Sequence, residues 1–195
     1  MPPSTAQVTF REGDVLELPN KKQCQFVTLI NVLPVVPNFT TALTVLKKAC
    51  ILSRDFVYAS QPNFDPNAYL LRLGLKTYYS DAAFHRFQVT SADLHRMART
   101  LAEQDLIADF SISEAGPIVD SSDAIIHPLE TPPDAGPYDE RVHRYKPTEV
   151  VFHEPIYRRL QLVLTRKPDQ LAPITKRLSK YEDQDNVVLS SALVG

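Results

Sequence analysis

Tryptophan is absent, and in 195 residues there are only 5 glycines and 2 cysteines. So few glycines leave little material for a loop that cradles phosphate. Neither a Gly-x-Gly-x-x-Gly nor a Walker loop occurs, and Gly-x-Ser-x-Gly and His-Glu-x-x-His are missing as well. Nucleotide-dependent and common hydrolase chemistries therefore lose their usual signatures. Cys24 and Cys50 lack a Cys-x-x-Cys spacing and are expected to be reduced, packed thiols. His127, His143 and His153 are scattered without metal-site spacing, so no metal centre is expected. No apolar run approaches the roughly 20 residues of a membrane span, because Pro34, Pro37 and Lys47 interrupt the richest region. Charge of one sign is also lacking. Lys and Arg number 21 against 23 Asp and Glu, which offers no attraction to nucleic acid or an anionic membrane, and neither is expected as a partner. The first seven residues carry no secretory pattern, so a cytoplasmic location is the expectation.

What remains is an ordinary globular composition, 44% hydrophobic and 23% charged, enough to bury a core. Residues 25–36 alternate Phe26, Thr28, Ile30 and Val32 against Val27, Leu29, Asn31 and Leu33, apolar on both sides as in a strand covered on two faces. Asn38 then caps a helix whose apolar positions, among them Phe39, Ala42, Leu46 and Ala49, recur every three or four residues. A second strand holds Phe56, Val57 and Tyr58 and stops at Pro62, and Asp65, Pro66 and Asn67 make a turn. Alternation over residues 68–79 predicts a third strand. Ser80 and Ser91 are read as caps of two further helices, and residues 106–113 as a fourth strand.

That order is the ferredoxin-like split βαβ arrangement, an α+β fold with helices on one face of an antiparallel sheet. The expected domains are an α+β barrel unit over residues 1–113, a Pro-rich linker or arm over 114–148, and a partial second β-α-β unit over 149–195. A shift of 132 positions lays Ile30 on Leu162, Phe39 on Leu171 and Phe56 on Val188. This agreement is read either as a partial internal repeat or as elements that extend the same sheet.

Three segments carry a family resemblance: Phe26-Val-Thr-Leu-Ile-Asn-Val32, Asp65-Pro-Asn-Ala-Tyr69 and Tyr78-Tyr-Ser-Asp-Ala-Ala-Phe84. Across about residues 25–113 the chain resembles the antibiotic biosynthesis monooxygenase family of the dimeric α+β barrel superfamily. The resemblance implies two ferredoxin-like sheets closing a barrel, between two chains as a homodimer or between two halves of one. It implies a cofactor-independent monooxygenase of secondary metabolism acting on an aromatic, polyketide-type small molecule. Relatives that degrade heme, and a non-catalytic barrel serving assembly, are the alternatives.

Candidate residues follow from chemistry and from that resemblance. Asn31 is an amide in an apolar strand, and a buried amide without partners costs about 1 to 3 kcal/mol, so it either orients a substrate oxyanion or bonds internally. Tyr58, Tyr69 and Tyr78 supply aromatic surface for a planar ligand or simply fill the core, and Tyr78 occupies the family's Trp position. Arg72 and Lys76 share the Tyr78 face by alternation, with Arg72 holding an anionic substrate or a salt bridge. His85 is the candidate base, its reference pKa being about 6.5, against a plain helix-surface role.

Overall fold

The computed structural model describes residues 12–79, 86–132, 149–179 and 186–190. The two-sided apolar run forms β1 (Cys24–Ile30) and stops one residue short of Asn31, which takes a left-handed φ of 55°. Asn38 caps α1 (Phe39–Leu52) by accepting from the Thr41 backbone N–H at 3.0 Å. The stripe of Ala42, Val45, Leu46 and Ala49 is buried against the sheet. β2 (Ser53–Pro62) then returns parallel and directly adjacent to β1, pairing Val27 with Val57 and Leu29 with Ala59.

The next elements are α2 (Ala68–Arg72), β3 (Leu75–Thr77), α3 (Ser91–Glu103), β4 (Asp109–Asp120) and β5 (Ile126–Pro128). β6 (Val151–Thr165), α4 (Leu171–Leu178) and β7 (Asn186–Ser190) complete the order. Five strands form one mixed sheet in the order β1-β2-β6-β4-β7, while β3 and β5 pair separately. β6 runs antiparallel to both β2 and β4, and β4 antiparallel to β7.

This is a mixed α/β sheet and not the ferredoxin-like barrel unit that the sequence pattern suggested. A split βαβ leaves a strand's width between its two parallel strands, whereas here β1 and β2 hydrogen-bond to each other. The expected third strand also breaks down. The Asn67 side chain accepts from the Leu70 backbone N–H at 3.0 Å and starts α2, and Gly74 at φ 71° turns the chain into the short β3. Tyr69, Leu71 and Leu73 alternate as a strand would, yet the leucines here are good helix formers once a cap is supplied. Residues 114–120, read as the start of a linker, instead continue β4. The α3 cap is Thr90 rather than Ser91, in a capping box with Asp93. The helix expected from Ser80 begins in residues 80–85, outside the described ones. As for the repeat, β6 and β7 lie on opposite sides of β4, unlike the adjacent β1 and β2, so the later elements extend the same sheet.

α1 and α3 cover one face of the sheet. Their Leu46, Leu94, Met97 and Leu101 pack on Val57, Phe110, Ile112 and Leu162 in the main core. Such side chains contribute about 1.5–3 kcal/mol each on burial. α4 lies on the opposite face, where Leu171 packs with Tyr58 and Val163. No described helix is long and apolar enough to cross a membrane.

Candidate functional site

Ligands of α/β sheets gather where parallel strands end at their carboxyl termini, because the loops there are free to vary on a rigid base. In this chain that place is the end of β1 and β2, and the structure builds polar groups at both.

Beyond β2 the chain is pinned by Asn63, whose N–H donates to the Arg158 carbonyl at 2.9 Å. The Asn63 side-chain amide donates to Glu114 Oε1 at 3.1 Å, and its Oδ1 accepts from the Asp65 N–H at 3.0 Å. Asp65 Oδ1 accepts from the Ser91 N–H at 2.9 Å, which anchors the segment to the start of α3. These contacts hold open a cleft of about 60 Å³ lined by Asn63, Asp65, Pro66, Asn67, Thr77, Glu114, Ile156 and Tyr157. That is well below the roughly 300 Å³ at which pockets enclose drug-sized ligands, so a terminal group can enter while the rest of a ligand stays outside. Burial raises the Glu114 pKa above 4.5; the nearby Asp65 charge adds to the effect and the Asn63 hydrogen bond opposes it. Among the described residues no lysine, arginine or histidine lines the cleft, so its character is that of an acceptor-rich, anionic recess.

At the end of β1, on the other face, Arg159 Nε donates to Ser60 Oγ at 2.8 Å and its Nη2 to Asn31 Oδ1 at 3.1 Å. The Asn31 N–H donates to the Ser60 carbonyl at 2.8 Å, which holds the left-handed turn in place.

The residues singled out in the sequence lie in several places. Asn31 sits just past β1, exposed and bonded to Arg159. Tyr58 is buried beneath α4 with Val163 and Leu171. Tyr69 and Arg72 do come together, but on α2 rather than on a strand. The Arg72 guanidinium lies 5.7 Å from the Tyr69 ring centroid and pairs with Glu154 at 2.7 Å. The Tyr69 hydroxyl accepts from the His153 N–H at 3.0 Å. Tyr78 is buried with its ring 4.6 Å from that of His127, and the Lys76 ammonium is 6.0 Å from its centroid. His85 lies outside the described residues. Cys24 and Cys50 are both thiols, and burial pushes Cys50 up to about 12. Among the described residues no group of three His, Cys, Asp or Glu is gathered as metal ligands would be.

Asn63, Glu114 and Arg159 escaped the sequence reading. Glu114 looked like the first residue of a linker, and Arg159 like the start of a strand. The one usable signal was the run Asn63-Phe-Asp-Pro-Asn67, three short polar side chains directly after a strand apolar on both faces.

No family model and no curated protein matches the chain. Among solved structures it is similar to magnesium protoporphyrin IX methyltransferase from Synechocystis PCC 6803 with bound SAH, at 16% identity and a TM-score of 0.40. The match covers 82% of this chain and 51% of that one. A SAM-dependent methyltransferase, possible histamine N-methyltransferase, from Thermotoga maritima matches at 11% identity and a TM-score of 0.44, over 80% of this chain and 62% of that one. The chain thus spans about half and about three fifths of the length of these two. Neither is an antibiotic biosynthesis monooxygenase. The adjacent parallel pair β1 and β2 within a five-stranded mixed sheet departs from the ferredoxin-like barrel unit and corrects the resemblance to that family. The oxygenase activity inferred from it, and the heme-degrading and assembly alternatives attached to the same barrel, are withdrawn with it.

Proposed function

We propose that the chain binds the cationic end of a small amine in the cleft at the carboxyl end of β2. One observation carries this reading: two carboxylates, Asp65 and Glu114, and two amides, Asn63 and Asn67, line a recess that contains no cationic residue among the described ones. An ammonium group brings three donors and one positive charge, and carboxylate and amide oxygens are what it needs when it leaves water. Asp65 is tied to the α3 backbone and acts as the fixed charge, while Asn63 holds the Glu114 carboxyl in place. Glu114 has its proton affinity raised by burial, which suits it to take a proton from the bound nitrogen. A nitrogen freed of its proton is a nucleophile, and methyl transfer to it is one reaction this reading admits.

Calorimetric titration with butylamine, histamine and the uncharged butanol tests the binding. Saturable binding of the amines is expected, with butanol failing to bind and Asp65→Asn weakening the amines about tenfold. Equal binding of butanol and butylamine, or no amine binding, sinks the proposal. A parallel incubation of amine, S-adenosylmethionine and protein, followed by mass spectrometry, reads methyl transfer directly.

A further inference from the structure

Arg159 differs from the other arginines whose side chains form ion pairs. Arg72 pairs with Glu154, Arg96 with Asp93 and Arg158 with Asp123. Arg159 meets only neutral oxygens among the described residues, Ser60 Oγ through Nε and Asn31 Oδ1 through Nη2. Those two bonds orient the guanidinium without neutralising it. Of its five N–H donors, three remain, one on Nη2 and two on Nη1. They lie along the end of the fork, where a carboxylate can be gripped by two parallel hydrogen bonds.

Two further observations lie on the same face of the sheet. Gln161, two residues along β6 and paired in register with Ser60, is 1% exposed, and neither its Nε2 nor its Oε1 has a partner among the described residues. A buried amide left so is costly and calls for an explanation. Beside it the outer strand shows apolar surface: Ile30, paired with Ser60 and adjacent to Asn31, is 51% exposed, and Phe26, stacked on Phe56 with ring centroids 5.1 Å apart, is 50% exposed. An oriented, uncompensated cation thus borders an unused buried amide and an open apolar shelf.

We propose that Arg159, Asn31 and Ser60 form a carboxylate-binding site for a small amphipathic monocarboxylate whose apolar body rests on Ile30 and Phe26. One guanidinium balances one carboxylate. A phosphate dianion would leave charge unbalanced, since the neighbouring Arg158 is already paired with Asp123. This site is separate from the amine cleft and does not depend on it.

The test is titration of the full chain with naphthalene-2-carboxylate, naphthalene-2-carboxamide and phenyl phosphate, followed by NMR or calorimetry. The carboxylate is expected to bind saturably, and the isosteric carboxamide at least about tenfold more weakly. Arg159→Gln should cost the carboxylate a similar factor and leave the carboxamide unchanged. Ile30→Ser, an exposed position, should weaken both ligands without altering the melting temperature, and so guards against a variant that fails to fold. Equal affinity for carboxylate and carboxamide, tighter binding of phenyl phosphate, or absence of saturable carboxylate binding overturns the proposal.

Discussion

The Asn63 side-chain amide donates to Glu114 Oε1 at 3.1 Å, tying the segment that leaves β2 to a strand residue 51 positions further along the chain. That bond sets both the shape of the cleft and the environment in which Glu114 titrates. A carboxyl group whose folded pKa is raised binds its proton more tightly in the folded protein than in the unfolded chain. Its stabilising contribution is full below the unfolded value near 4.5 and is lost as pH rises through the raised one. Relative to Glu114→Gln, the wild type should therefore lose melting temperature between acidic and neutral pH. Calorimetric melts across that range check this, and a difference that does not vary with pH would contradict it.

Thr90 and Asp93 form the capping box of α3: the Thr90 hydroxyl oxygen accepts from the Asp93 N–H at 3.2 Å, and Asp93 Oδ2 accepts from the Thr90 N–H at 3.3 Å. Thr90→Ala should destabilise the protein by about 1 kcal/mol. Ser91→Ala should be close to neutral, because the Ser91 backbone rather than its hydroxyl bonds Asp65. Urea unfolding of the two variants separates the two assignments of the cap.

Phe110 is fully buried between β4 and α3, with its ring 5.6 Å from that of His95. Truncation to Ala leaves a cavity that close-packed neighbours fill only in part, a loss of about 3–5 kcal/mol. Val119 on the same strand is exposed, and Val119→Ala should stay within about 0.5 kcal/mol of wild type. Chemical denaturation of both variants gives the comparison.

Cys50 is buried on α1 and its thiol is pushed up to about 12, so at mildly alkaline pH almost none of it is thiolate. Cys24 is only part-buried, its Sγ donating to the Leu52 carbonyl at 3.6 Å. Iodoacetamide should therefore label Cys24 in the native protein and reach Cys50 only on unfolding. Peptide mapping with and without urea reads this directly, and native labelling of Cys50 at the same rate would contradict its burial.

Local signals carried α1 and β2 well and β1 as a strand, although its Phe26, Thr28 and Ile30 face is exposed rather than covered as expected. The two-sided apolar run, the Asn38 cap and the three-four stripe are all written within a few residues of the elements they specify. α2 was misread because Tyr69, Leu71 and Leu73 alternate as strand residues do, and only the Asn67 cap argued for a helix. The path of the chain after Ser113 differs from the expected linker because the Pro-, Asp-, Gly- and Ser-rich composition from Glu114 to Pro147 masks a strand at its start. In the sheet, Gly116 adopts a φ of 69° while Pro117 stays paired with Tyr157 on β6. The family resemblance failed for a related reason: short strand motifs report burial on two faces, which many sheets share.

Of the candidate residues, Asn31 was visible as an amide out of place in an apolar strand, but its partner was not. Arg159 stands 128 positions away and reaches Asn31 because β6 inserts beside β2. Asp65 was visible as turn chemistry, and Glu114 became part of a cleft only when β4 was placed two strands from β2.

The sequence by itself determined the presence of a buried core, the cap and apolar stripe of α1, the strand character of β1, and the scarcity of phosphate-cradling glycine. Each follows from composition or from side-chain periodicity within one element. Only the tertiary structure decided that β1 and β2 are neighbours, that β6 runs between β2 and β4, and that Asn63, Asp65 and Glu114 share a recess. Strand order depends on which apolar faces and backbone edges meet across long loops, and period-two alternation leaves a strand's partner and direction open.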